Sequence, residues 1–408
     1  MPPKKISTIS LALVALLPPM PLAAFDLNNK AALHGFISQG YLDSSGNNFL
    51  SDSLDGTFDF NEIGLNLNLR LSDNLRFGGQ LLSRNMGDYG DNHIRLDWGL
   101  VDYRFQDWAG VRLGKVKIPM GLYNTERDSD FLRPMIFLPQ SIYDETRRDT
   151  WLAHWGGEIY GNVAMNDAFG DFDYKLFYGR IKYEGDSVYH DSTLASVNTR
   201  LADNRQSPNP DPLLPARINQ CDRDNDYLYG ASLIFSPPID NLRLGISYAS
   251  QKDTSYGDDE KIGEYKTNSN FVLSLEYAWR DFLFSAEYAE NDRTQTLYDI
   301  TTFDGPNQAW YLMLTYCATE RLSFSVVYDE YWKDKHNKDD AVHASGRYNS
   351  TPWRKDWGLG VRYDVNENWT VKGEWHTVDG TALLLDFFNP DGTERHWQYG
   401  AVKVSFNF

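Results

Sequence analysis

Cysteine is almost missing from this sequence: Cys221 and Cys317 are the two in 408 residues. Two cysteines in a chain of this length make no disulfide framework, and no CxxCH haem site or paired Cys/His metal spacing occurs. There is no Gly-rich phosphate loop. His34, His154, His376 and His396 are scattered, without a nearby Ser or Asp pattern that would make a triad. No cofactor and no metal site are therefore expected. Positive charge is also scarce, since 39 Lys and Arg against 57 Asp and Glu leave −18. That balance excludes the basic footprint that nucleic acid requires. Beyond the first residues, no apolar run reaches the ~20 residues of a transmembrane helix.

The beginning of the chain is the exception. Lys4 and Lys5 precede an apolar stretch over 6–17, and Ala23 and Ala24 supply small residues at a cleavage point, although Leu22 at −3 is larger than usual. Pro18, Pro19 and Pro21 break any helix before it could span a bilayer. The reading is a cleaved export signal over 1–24, followed by one domain over 25–408. Loss of Lys4 and Lys5 leaves the mature chain at −20. Its acidic loops either bind divalent cations together with lipopolysaccharide phosphates or simply stay solvated.

What the rest of the chain has is alternation. In 60–72, Ile63, Leu65, Leu67, Leu69 and Leu71 alternate with Glu62, Gly64, Asn66, Asn68 and Arg70. A helix would mix these sets on every face, so the period is two. The pattern returns in Phe271, Leu273, Leu275, Tyr277 and Trp279, in Trp310, Leu312, Leu314 and Tyr316, and in Trp357, Leu359, Val361 and Tyr363. Aromatics make up 14% of the residues and stand at strand ends, where amphipathic rings meet a membrane surface. Mean hydropathy is −0.52, low as expected for strands with one lipid-facing and one lumen-facing side.

Short hinges with the Asp, Asn and Pro chemistry of tight turns occur at 72–74, 106–108, 166–171, 237–241, 280–281, 318–321 and 366–368. Longer connections fall at 43–59, 86–92, 119–151, 184–225, 253–268, 292–306, 333–352 and 380–394. Eight long and seven short connections predict sixteen antiparallel strands, an all-β transmembrane barrel with both termini on the short-turn side. A soluble sandwich would not alternate its loops so regularly. In the last strand Gly400, Val402, Val404, Phe406 and Phe408 alternate with polar or small residues, and the chain stops on an aromatic. That ending resembles the recognition signal of outer-membrane barrels.

Two segments resemble a family of Gram-negative outer-membrane porins, many uncharacterised, distantly similar to phosphate-selective porins. The first is His34-Gly35-Phe36 with Ser38-Gln39-Gly40-Tyr41-Leu42, then Phe58-Asp59-Phe60-Asn61-Glu62-Ile63-Gly64. The second runs from Val111-Arg112-Leu113-Gly114-Lys115-Val116-Lys117 through Ile118-Pro119-Met120-Gly121 to Arg127-Asp128, Arg133-Pro134 and Leu138-Pro139-Gln140. The resemblance covers the N-terminal third by motif and the remainder by architecture. It implies a water-filled channel for passive diffusion of ions and small hydrophilic solutes, no enzyme activity, a place in the outer membrane among its lipid and lipopolysaccharide, and a homotrimer. It does not imply phosphate, because no dedicated ladder matches residue by residue.

The third long loop, 119–151, is expected to be the constriction. It carries Arg127, Asp128, Asp130, Arg133, Asp144 and Glu145, yet its middle, Met135-Ile136-Phe137-Leu138, is too apolar to lie in water. Alternation turns Arg70, Arg76, Arg84, Arg95, Arg112, Lys115 and Lys117 inward, the last two after a bulge near Gly114. Glu276, Glu287 and Asp329 face inward from later strands. A basic wall opposite acidic groups would set a transverse field across the opening. Two other classes stay open: a barrel enzyme of lipase or protease type with a catalytic set at one rim, and a barrel subunit of a secretion or electron-conduit complex. The latter calls for a spare module, and none is apparent between leader and first strand.

Overall fold

Period-two alternation becomes a closed ring of strands in the computed structural model, which describes residues 25–27, 30–50, 52–87, 90–166, 169–183, 188–338, 343–345 and 348–408. The expected export signal over 1–24 lies outside them. The wall is β1 (Ala31–Ser45), β2 (Phe60–Arg70), β3 (Leu75–Met86), β4 (Ile94–Gln106), β5 (Ala109–Lys117), β6 (Ala153–Asn166), β7 (Gly170–Arg180) and β8 (Cys221–Ser236). It continues with β9 (Leu242–Gly257), β10 (Glu260–Trp279), β11 (Phe282–Leu297), β12 (Ile300–Cys317), β13 (Leu322–Trp332), β14 (Trp353–Asp364), β15 (Trp369–Gly380) and β16 (His396–Asn407). Each pairs antiparallel with its neighbours in sequence, and β16 closes on β1 from Gln398 opposite Ser45 to Asn407 opposite Phe36. Closure removes the unpaired edge that a bilayer does not tolerate. Phe408 completes the seam, exchanging both backbone bonds with Gly35 at 3.0 and 3.1 Å.

The outer surface is the apolar one. On β2, Ile63 and Leu65 are exposed while Glu62 is buried in the lumen. Leu312 and Leu314 on β12 and Leu359 and Val361 on β14 continue the exposed band. Two aromatic girdles bound it. The upper runs through Tyr288 and Trp310, opposite in register, and on through Tyr328 and Trp357 with ring centroids 4.8 Å apart. The lower links Trp279, Phe282 and Tyr316, the last two 5.0 Å apart. Tyr288 and Phe282 lie six residues apart on β11, roughly 20 Å along the strand. That spacing suits a lipid-facing band about 25 Å tall.

The short turns lie where composition puts them, but two of the expected long loops are not loops. The segments 253–268 and 292–306 continue as strand, so β9 to β12 run 16, 20, 16 and 18 residues. Their tips are two-residue turns with both central residues at positive φ: Asp258 at 48° and Asp259 at 69°, then Tyr298 at 49° and Asp299 at 61°. Such turns match the twist of the paired strands. Spanning takes about 9–11 residues, so this side of the wall rises beyond the lipid, and polar side chains on both faces hide the alternation there. Asp258, in the Gly257-Asp258-Asp259-Glu260 stretch, accepts from the Asn219 and Gln220 amides at 2.9 and 3.0 Å and so ties down the preceding connection.

Two α-helices are added to the wall, the one-turn α1 (Arg148–Trp151) inside the barrel and the 19-residue α2 (Val188–Gln206) above the raised wall. Val197 and Leu201 of α2 pack with Ile218, Ile262 and Cys221. Cys221 is therefore buried at the outer end of β8, whereas Cys317 is exposed beside the short turn after β12; both are free. A membrane core separates those levels, far more than the ~7 Å a disulfide allows. Maleimide should label Cys317 in the folded protein and Cys221 only after unfolding. A Cys221–Cys317 peptide in a non-reducing map would show the strand order to be wrong.

Candidate functional site

At the end of β5 the chain turns into the lumen, and the third loop (118–152) is closed at its neck by the Ile118 amide donating to the Leu152 carbonyl at 2.9 Å. Gly121 makes the turn. Its φ is +66°, and a Cβ there would lie 2.4 Å from the Tyr143 hydroxyl and 2.7 Å from Glu287. No other residue fits so close to the wall. The loop then bonds to β11, with the Leu122 amide donating to Glu287 at 2.8 Å, and to β10, with the Tyr123 hydroxyl donating to Glu276 at 3.0 Å.

The apex of the loop is held on the far side. The Ile136 amide donates to Glu374 of β15 at 2.8 Å, and Arg362 of β14 donates to the Phe131 and Arg133 carbonyls at 2.6 and 3.1 Å. Asp130 collects Lys372, Lys403, Arg133 and the Ser405 hydroxyl, the last at 2.6 Å. Burial alone would raise its carboxyl, but Lys372 and Lys403 hold it well below the ordinary range. On the return leg the Ser141 amide donates to Asp329 at 3.1 Å, and Arg148 pairs with Asp97 of β4 at 2.9 Å. Glu145 takes Arg84 of β3 at 2.8 Å and Arg127 at 3.1 Å. Burial pushes that carboxyl up, yet the two guanidinium groups outweigh it and keep the group below its usual range.

The apolar middle of the loop is covered by the wall and by the first loop. Phe137 stacks on Phe60 at 5.6 Å and lies edge-on to Phe49, while Met135 and Leu138 pack with Tyr311, Met313 and Val327. Met135 to Leu138 are each 1–3% exposed. The third loop thus spans the lumen and bonds to both halves of the wall.

Most of the inward-turned charges prove to be paired. Arg76 and Arg112 share Asp102 at 2.6 and 3.3 Å, and Arg112 also meets Glu158 at 2.7 Å. Arg84 and Arg95 approach Asp149 at 3.5 and 3.8 Å. Lys117 meets Asp128 at 2.7 Å, and the Trp98 indole donates to the same carboxylate at 2.9 Å. Arg70 stays exposed opposite Arg76, away from the loop. Asp144 caps a short turn by accepting from the Thr146 amide at 2.9 Å. Lys115 corrects the expectation. The ladder runs unshifted through Leu100–Gly114 and Gly99–Lys115, so Lys115 stands beside the exposed Trp155 and donates to the Leu96 carbonyl at 2.7 Å. Gly114 takes up the local twist at φ 134° without a register shift.

A basic wall facing an acidic one is also too simple. Asp97, Asp102 and Glu158 are buried among arginines of β3 to β5 and of the third loop, and Arg354, Lys372 and Lys403 are buried beside Asp329 and Asp356, Asp130, and Glu62 respectively. Arg354 binds Asp329 and Asp356 at 2.8 and 2.7 Å, and His376 meets Asp356 at 2.9 Å. The signal for these existed. Arg354 and Asp356, and Lys372, Glu374 and His376, fall in phase on the polar side of alternating strands.

The space left beside the loop is a cavity of about 100 Å³ against β10 to β13. Asn270, Asn291, Asn307 and Tyr331 line it from the wall, Arg147 and Trp151 from the loop. A smaller recess shares Arg147 and Trp151 and adds Arg223 and Tyr265. Among the described residues no group of His, Cys, Asp or Glu is arranged to hold a metal ion.

No family model matches the chain. Among curated proteins, a phosphatidylinositol transfer protein, SFH5, of Cryptococcus neoformans is 30% identical over 103 residues. That match covers 24% of this chain and about a third of that protein, too little to carry a fold or an activity. Solved structures match along the whole barrel. The anion-selective porin of Comamonas acidovorans aligns with TM-score 0.55 and 13% identity, covering 93% of this chain and 99% of that one. The outer membrane channel DcaP of Acinetobacter baumannii aligns at 0.55 and 11%, covering 95% and 100%. OmpT, an outer membrane protein of Vibrio cholerae, aligns at 0.55 and 13%, covering 93% and 98%. With sixteen strands, a closed seam and a third loop inside the lumen, the chain has the fold of Gram-negative outer-membrane porins.

Proposed function

We propose that this protein is a channel of the outer membrane through which ions and small hydrophilic solutes diffuse passively, with the third loop as its constriction. The observation that carries this reading is a loop that bonds to both halves of a closed wall and leaves a narrow space lined by amide, hydroxyl and guanidinium groups. Field lines concentrate in such a gap, so the few charges there set which solutes enter. A hydrolase reading finds less support: His376 is taken up by Asp356 and Glu374 beneath the loop, and His154 lies buried against Phe177.

The remaining parts of the reading follow the same logic. A leader over 1–24 would deliver the chain to the outer membrane, and its acidic loops would face lipopolysaccharide. Contact between copies in a homotrimer would fall on the part of the wall that does not rise beyond the lipid, away from the long strands β9 to β12. Purified protein in a planar bilayer should give discrete current steps in KCl, and cross-linking in mild detergent should give a three-chain species. A folded, heat-modifiable barrel that passes no current in KCl would overturn the channel reading.

A further inference from the structure

We infer that the cavity beside the third loop is a recognition subsite for a neutral cyclic polyol the size of one pyranose sugar, with its hydroxyls on a tier of asparagines and its carbon face on Trp151 and an apolar floor. This rests on the channel reading above and names a solute class for it.

The charged groups that border the cavity are already engaged within the loop. Arg127 donates to the Tyr143 and Asp144 carbonyls at 2.8 and 2.6 Å and to Glu145 at 3.1 Å. The Asp144 carboxylate accepts from the Thr146 amide and hydroxyl at 2.9 and 2.6 Å and faces Arg147 at 3.7 Å. Arg147 and Asp144 both line the space. A solute there meets the two signs side by side, so a net charge of either sign gains little.

The neutral groups are the ones left over. Asn270, Asn291 and Asn307 stand side by side on β10, β11 and β12 and line the cavity together. Among the described residues the Asn270 side chain has no hydrogen-bond partner, and neither has the Asn291 amide nitrogen. Asn307 donates to the Tyr331 hydroxyl at 3.2 Å and keeps its carbonyl oxygen as an acceptor. Arg293 also donates to that hydroxyl, at 3.4 Å from behind, so the phenol proton is left to donate. One tier thus mixes donors with acceptors and carries no charge. A carboxylate uses donors alone and an ammonium acceptors alone, whereas a hydroxyl needs both.

The next tier inward is carbon, with Val272, Ala289 and Ala309 in register. Met120, Ile142, Leu383 and Trp151 complete the apolar lining. Trp151 borders both this cavity and the smaller recess, and no other aromatic ring among the described residues stacks on it. A lumen that serves hydrated ions alone gains nothing from so much carbon. A pyranose does, because its C–H faces are apolar while its hydroxyls radiate from the rim. The cavity of about 100 Å³ holds on the order of seven to ten waters, enough for one such ring and too little for two.

The test uses the purified full-length protein in planar bilayers carrying KCl current, with glucose, sorbitol and glucuronate as probes. Sorbitol matches glucose in size and osmotic strength but lacks the ring face; glucuronate keeps the ring and adds a negative charge. Glucose should halve the current at about tenfold lower concentration than sorbitol, and glucuronate should act no more strongly than glucose. Asn270→Leu and Trp151→Leu should each raise the glucose concentration for half reduction about tenfold. The main chain at Trp151 is held by its carbonyl, which accepts from Asn124 at 2.9 Å whatever the side chain. Heat-modifiability confirms that each variant is folded. If KCl current is present and glucose acts no more strongly than sorbitol, or glucuronate acts more strongly than glucose, this inference fails while the channel reading stands. If there is no KCl current at all, both fall together.

Discussion

Removing 127–144 from the third loop and bridging the gap with a short glycine linker should raise single-channel conductance several-fold and flatten ion selectivity. The loop is the only described segment that bonds to both β3 and β4 on one side and β13 to β16 on the other. A bare sixteen-stranded barrel is wide enough to leave an aqueous channel. The deletion takes away partners of Lys372, Lys403, Asp329 and Glu374, but water enters where the loop had been. Those charges rehydrate instead of staying buried, so the barrel should survive as a heat-modifiable species. Selectivity should weaken because opposite charges in a wide lumen are screened within a Debye length of about 10 Å at 0.1 M salt. A folded deletion variant with unchanged conductance and reversal potential would put the constriction elsewhere and make the loop a contact surface.

The second large effect concerns the apex. Asp130→Asn keeps the shape of the side chain and removes the one carboxylate shared by Lys372, Lys403 and Arg133. Breaking a buried ion pair from one side costs about 3–5 kcal/mol, because the remaining charge is left uncompensated. Lys403 keeps Glu62, whereas the ion pair of Lys372 is lost. The wall is a continuous ladder of backbone bonds and should not yield first. The cost should appear as release of the apex, read as protease cleavage within 127–144 and as larger current fluctuations. Pairing Asp130→Asn with Lys372→Met should restore protection, since a well-packed apolar side chain often replaces a buried ion pair at little cost. An Asp130→Asn protein as protease-resistant as the parent would mean that the apolar packing of Phe137 and Met135 holds the loop without the ion pairs.

Much of the barrel could be read in advance because its rule is local. Ile63, Leu65 and Leu67 point one way and Glu62, Gly64 and Asn66 the other whatever the rest of the chain does, since successive residues of a strand face opposite sides. The short turns, the antiparallel order and the inward side of Arg84 or Arg112 follow from the same rule. The rule weakened where its cause did. The outer halves of β9 to β12 stand beyond the lipid, so neither face need be apolar, and Asp253 and Ser255 read as loop although they pair with β8 and β10.

The site was less legible because its rule is not local. That the 135–138 stretch needs a cover follows from its composition; that Phe60, Tyr399 and the first-loop residue Phe49 provide it depends on which strands and loop closure brings beneath it. Arg76, Arg84 and Arg112 declared positive charge along the chain, but Asp102, Glu145 and Glu158 neutralise it from residues 26 to 61 positions away. The cavity is still more remote, with Arg147 from a loop and Asn291 and Tyr331 from strands that meet it only across the folded lumen. Alternation along one strand decides which face a side chain takes, at the cost of two neighbouring dihedrals. Which opposite charge it meets there is decided by ring closure and by the path of one inward-folded loop, and neither is encoded within any short stretch of residues.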